Sequence, residues 1–300
     1  MSKATHVSVF EAPAEIAETL FHVGKEKSKK PAFNLIILGL LAGAFIAFGG
    51  YLETVVLTGT AERFGLGFAR FLGGSVFSVG LVLVIVAGAE LFTGNNLIIV
   101  GLLTGEVTMT QMMRNWGIVY AANFAGSIAM VGLIYYSGAW KAGGGAIGAT
   151  AASIAVGKVS LTPVEALTRG ILCNMLVVLA VWMAAGAKDV AGKIGAIYFP
   201  IMAFVAAGFE HCIANMYLIP IGIAVKNEEA VLSALGPETQ AALSGLTWQT
   251  FLGNVIPVTV GNIIGGAIFI GAAYYMVYLK PERDRYKVEE PESSWALLDD

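Results

Sequence analysis

Six long apolar runs alternate with short polar stretches, near residues 32–57, 70–101, 111–137, 163–186, 194–225 and 247–279. Each has at least the ~20 residues an α-helix needs to cross a bilayer core. The pattern predicts an all-α polytopic membrane protein with six transmembrane spans. Runs two and five are long, and each is interrupted by glycine, a carboxylate and amides. The first interruption reads Gly88-Ala89-Glu90-Leu91-Phe92-Thr93-Gly94-Asn95-Asn96 and the second Gly208-Phe209-Glu210-His211-Cys212-Ile213-Ala214-Asn215-Met216. Such groups at membrane depth are costly unless they line a polar cavity inside the protein. Spans two and five are therefore predicted to be broken, around 91–96 and 208–215, and the breaks mark the site.

The two interruptions place Gly, Glu and Asn at the same offsets, 120 positions apart, and Asn115, Asn123 and Gly126 recur as Asn254, Asn262 and Gly265, 139 positions on. Three spans per copy is an odd number, so the second copy must enter the membrane from the opposite side. This predicts two inverted halves, about 32–137 and 163–279, within one transmembrane domain over 32–279. Ahead of it, 1–31 carries Val9, Phe10, Ile16, Leu20, Phe21 and Val23 at helical spacing and then Lys25, Lys27, Lys29 and Lys30. That predicts an amphipathic surface helix ending at a cationic membrane edge. The acidic segment 280–300 reads as a solvated tail, 141–148 as a flexible loop and 226–246 as a polar loop. Most of the 18 Lys and Arg, including those of the amino-terminal segment, Arg114, Lys188, Lys193 and Lys280, fall on one side of the six spans. Both termini are predicted cytoplasmic.

Composition sharpens this picture. Hydrophobic residues make up 57% of the chain and charged residues 13%, against a usual ~25% charged in soluble domains. A net charge of -3 without a basic stripe argues against a nucleic-acid partner. Cys173 and Cys212 both sit in apolar segments, which argues against a disulfide framework.

His211 is the one histidine in an apolar segment. At the membrane midplane an imidazole offers a passing anion a hydrogen bond or a proton. Leu91 stands at its place in the first copy and Thr93 at that of Ile213, which makes Thr93 the natural partner of His211. Glu90, Glu210, Asn95 and Asn215 read as scaffold, the carboxylates accepting from backbone amides of the broken turns. His211, Cys212, Cys173 and Glu210 are of metal-ligating types, but adjacent His and Cys rarely face one metal and no HExxH or CxxC spacing is present. Neither a metal, nor a cofactor, nor an enzymatic activity is predicted.

The segments GAELFTGNN (88–96), RGILCNMLVVLAVW (169–182), GFEHCIANMYLIPIG (208–222) and NVIPVTVGNIIGG (254–266) closely resemble the formate/nitrite transporter family, over about residues 10–280. The resemblance implies an aquaporin-like protomer with its own pore, a homopentamer with a lipid-plugged centre, residence in the inner membrane, and transport of a small monovalent anion such as formate. It implies that His211 is the central pore histidine, hydrogen-bonded to Thr93. Phe77, Leu81 and Phe204 match an outer constriction, Leu91, Phe92 and Val177 an inner one, Lys158 an outer-vestibule lysine, and Asn174 and Asn262 pore-side amides. Known formate channels carry serine or threonine after the shared Phe-Thr, where this chain has Gly94, and nitrite or hydrosulfide fit the remaining motif as well. In this picture Lys158 draws the anion in at long range without a bound partner, and His211 donates a hydrogen bond or a proton in an apolar slit. The competing classes are an intramembrane metal-dependent enzyme or sensor built on His211, Cys212 and Glu210, and a neutral-solute channel.

Overall fold

The computed structural model describes residues 10–280, so the expectation for the acidic tail beyond Lys280 lies outside the described residues. The chain runs through α1 (Pro13–Lys29), α2 (Ala32–Leu57), α3 (Leu66–Gly88), α4 (Gly94–Leu103), α5 (Met109–Ser137), α6 (Ala146–Val159), α7 (Pro163–Gly186), α8 (Val190–Ala207), α9 (Cys212–Val225) and α10 (Trp248–Leu279). Six of these, α2, α3, α5, α7, α8 and α10, are long and apolar enough to cross a membrane, whereas α4, α6 and α9 are apolar but shorter. The expected all-α polytopic architecture is present.

Helix starts follow local chemistry. Thr108, Thr162 and Thr247 accept from the backbone three residues on and open α5, α7 and α10, and Asp189 does the same for α8. Pro163 occupies the first turn of α7, where its missing N–H costs nothing. α3 ends at Gly88 (φ 89°) and α8 at Gly208 (φ 76°), a backbone conformation open to glycine at little cost. α4 and α9 begin a few residues later.

Close crossings hold the spans together. A Cβ on Gly126 of α5 would lie 2.1 Å from the Leu40 carbonyl oxygen of α2, and one on Gly265 of α10 would lie 2.1 Å from that of Ile171 on α7. Small residues here let backbones meet, which is how helices gain packing energy where water offers no hydrophobic drive. Gly265→Leu is expected to force α7 and α10 apart and to cost about 2 kcal/mol or more. A thermal melt of the detergent-solubilised protein checks this, and an unchanged midpoint counts against the crossing.

Three expectations outside the six long helices are corrected. α1 is helical and amphipathic, but Ile16, Ala17, Leu20 and Phe21 pack on Val178, Trp182, Ile270 and Leu279, so its apolar face is covered by protein and does not lie on the membrane surface. The 141–148 segment is a tight turn through Gly143, Gly144 and Gly145, all at positive φ, that launches α6. The 226–246 segment forms short helices, Glu229–Ala234 and Pro237–Ala242, and buries Val231, Leu243 and Leu246.

Candidate functional site

The two turns, Ala89–Thr93 and Phe209–His211, are held by hydrogen-bond networks built largely from corresponding residues. Asn123 Nδ2 donates to the carbonyls of Gly39 and Glu90, and its Oδ1 accepts from the Phe92 amide. Asn262 Nδ2 donates to those of Gly170 and Glu210, and its Oδ1 accepts from the Cys212 amide. Asn95 donates to Glu90 and to Asn115, whose amide reaches the Lys27 carbonyl. Asn215 donates to Glu210 and to Asn254, whose amide reaches the Lys158 carbonyl. The buried carboxylates are answered by lysines: Lys27 and Lys30 each 2.8 Å from Glu90, and Lys158 2.9 Å from Glu210.

Several sequence expectations change here. Glu90 and Glu210 accept from lysine and asparagine side chains, while the turn amides of Phe92 and Cys212 go to Asn123 and Asn262. Lys27 and Lys30 are therefore not a free membrane edge. Lys158 has a bound partner, and its side chain is only 15% exposed. Asn262 spends its amide on backbone groups, and Asn174 donates to Thr93, Asn96 and Asn262. Both are fully buried and hold the turns.

His211 is the residue on which the two turns meet. It is the N-cap of α9, and its Nδ1 accepts the Ala214 amide at 3.1 Å. A nitrogen that accepts carries no proton, so the neutral ring has its proton on Nε2. Nε2 lies 2.9 Å from Thr93 Oγ1. His211 thus donates to Thr93, whose own hydroxyl proton is left to serve another acceptor. The start of α9 also directs its positive dipole end toward this point.

On one side of His211 lies a cavity of about 170 Å³, lined among others by Glu53, Arg70, Phe77, Lys158, Phe204 and Glu210. Phe77 and Phe204 meet edge to face at 5.8 Å, and Phe204 stacks on the His211 ring at 5.9 Å. A second cavity, of about 40 Å³, is lined by Leu81 and Leu91 and by Leu20, Val23, Gly24 and Lys27 of α1. The two share no lining residue. Phe92 packs on Trp116 and Tyr120, and neither it nor Val177 lines either cavity. Glu53 and Arg70 were not singled out from the sequence. A carboxylate inside the first apolar run was the available signal.

Among the described residues no group of three or more His, Cys, Asp or Glu is placed to hold a metal. Cys173 and Cys212 are buried free thiols.

Six helices long and apolar enough to cross a membrane, three shorter apolar helices among them and a cavity ending on a buried histidine fit a polytopic membrane transport protein. A family model described as formate/nitrite transporter matches residues 14–276. The chain belongs to the formate/nitrite transporter family. A probable formate transporter of Methanothermobacter thermautotrophicus is 41% identical over 289 residues, covering 91% of this chain and 99% of its own. The formate channel FocA of Escherichia coli (strain K12) is 38% identical over 91% of this chain and 96% of its own. Among solved structures, a pentameric formate channel with formate bound aligns with a TM-score of 0.72 at 36% identity, over 84% of this chain and 99% of that one. These relatives are channels and transporters, not enzymes.

Proposed function

We propose that this chain moves small monovalent anions, formate first among them, through a pore in each protomer of a homopentamer in the inner membrane, with both termini cytoplasmic. The observation that carries the reading is the hydrogen bond from His211 to Thr93, fixed by the Ala214 cap and placed at the end of a cavity behind Phe77 and Phe204. An anion crossing that constriction sheds water, and a bare carboxylate in an apolar slit costs many kcal/mol. The Thr93 hydroxyl supplies a donor there, and the start of α9 supplies positive potential without a fixed charge. In this geometry His211 acts first by hydrogen bonding. A proton taken up by the ring goes to Nδ1 and displaces the Ala214 amide, at a cost of about 1 kcal/mol or more, unless the arriving anion compensates it.

The matched networks support reading the chain as two inverted halves with broken second and fifth spans. In this reading α1 and α6 belong to the halves as well, because Lys27 and Lys158 answer the two carboxylates in the same way. The segment 1–31 is then continuous in function with the domain over 32–279.

Nitrite and hydrosulfide suit the same donors. Uptake of formate, nitrite, hydrosulfide, acetate and lactate by proteoliposomes is expected to rank formate first and to exclude lactate by size. A protein that swells vesicles with glycerol but moves no anion defeats the reading, and nitrite uptake exceeding formate replaces the substrate.

A further inference from the structure

Arg70, Gly73, Gly74 and Phe77 recur at helical spacing on α3 and share one face. Arg70 and Phe77 both line the larger cavity. Between them a Cβ on Gly73 would lie 3.4 Å from Glu53 Cγ, so the side chain of Glu53 reaches from α2 across the glycine step. Arg70 stands over the Gly208 turn, where a Cβ would lie 3.8 Å from its Nη1. Burial increases along this wall: Arg70 is exposed, Glu53 half-buried and Phe77 3% exposed. From the mouth inward the wall therefore offers a guanidinium, a carboxylate and then the Phe77–Phe204 ring pair before His211.

Charge pairing separates the cations of this cavity. Lys158 is engaged at 2.9 Å by Glu210, whereas no hydrogen bond or ion pair joins Arg70 or Glu53 to any described residue. The group free to meet an anion at contact distance is Arg70. Its planar fork matches a carboxylate-like anion.

We propose that Arg70 is the docking residue for the incoming anion and that Glu53, about one helical turn deeper, is a selectivity residue that weakens this docking so that the anion moves on. A pore needs binding strong enough to fill it and weak enough to empty it. Glu53 supplies that repulsion in its ionised form, with Lys158 as the counter-charge that tempers it. The proposal rests on the anion-transport reading.

The test is the concentration dependence of formate uptake by proteoliposomes of the full chain, with oligomer size checked for each variant. R70Q is expected to raise the half-saturating concentration about fivefold with maximal flux retained, and R70K to restore most of it. E53Q is expected to lower it, about threefold, in the opposite direction. Raised ionic strength brings the wild type toward R70Q. Half-saturation unchanged in R70Q, or shifted the same way in R70Q and E53Q, overturns the proposal and leaves the transport reading intact. Loss of assembly in both R70Q and R70K assigns Arg70 to the fold and also overturns it. A wild type without saturable uptake of any anion in the panel defeats the transport reading, and this proposal with it.

Discussion

Lys158→Ala is expected to lower flux equally at low and at high salt, and to destabilise the protein by about 3 kcal/mol or more. The reason is the partner. Glu210 has a side chain only 5% exposed, and after the substitution its remaining donors are the amides of Asn215 at 2.6 Å and Asn254 at 3.5 Å. An uncompensated carboxylate inside the membrane domain destabilises the turn that carries His211. A long-range lure would behave differently, because screening over about 8 Å at physiological ionic strength makes its loss greatest at low salt. Pairing Lys158→Met with Glu210→Gln removes both charges and is expected to recover much of the stability. A Lys158→Ala protein of wild-type melting temperature, with a defect confined to low salt, overturns this account.

The equivalent change in the first copy, Lys27→Ala, is expected to cost less. Lys30 remains 2.8 Å from Glu90, and the Lys27 side chain is already 27% exposed. The two carboxylates, alike in sequence, are therefore expected to differ in sensitivity to loss of a lysine.

The six apolar helices and the two polar turns between helices were legible because the cost of polar groups in a bilayer leaves a strong mark. Glu90, Asn95, Glu210 and Asn215 stand out in apolar runs and recur at one spacing. The lysines that answer them were not legible. Lys25, Lys27, Lys29 and Lys30 form a nearly alternating run, and side-chain direction on a helix decides which enter the protein. Lys27 pairs with Lys158 at a spacing of 131, shared by Gly39 and Gly170, but the neighbouring residues have diverged too far for that spacing to show. α6 was missed because its 14 residues are too short to span and follow three glycines. Alanine, glycine and valine there give no apolar stripe, yet close contact with α9 is what they permit: a Cβ on Gly222 would lie 2.3 Å from that of Ala155. The partners of Asn174 and Asn262 were not legible either, because an amide that holds a turn through backbone carbonyls looks the same in sequence as any other buried amide.

His211→Asn and His211→Phe are expected to separate the two roles of the central residue. Asparagine is a good N-cap, so its oxygen can take the Ala214 amide as Nδ1 does, while its NH₂, one bond short of the position of Nε2, faces Thr93 and reaches it with a small shift of the turn or through a water. It does not titrate between pH 5 and 8. An ordinary imidazole changes charge near pH 6.5, and in this site a second proton has only Nδ1 to occupy, where it competes with the cap. The Asn variant is therefore expected to assemble and to conduct, with the pH dependence that a ring proton imposes on anion flux removed. Phenylalanine makes neither hydrogen bond. It leaves the Ala214 amide without its cap, leaves Thr93 unpaired at about 1–3 kcal/mol, and adds another apolar ring beside Phe204. Flux in His211→Phe is expected to fall by more than about tenfold, since nothing then offsets the desolvation of the anion. Both variants are compared with the wild type by formate uptake from pH 5 to 8, corrected for the supply of neutral formic acid, after their oligomer size is verified. If His211→Asn keeps the wild-type pH dependence, the imidazole serves only as a cap and as a partner for Thr93, and the anion crosses without using its proton.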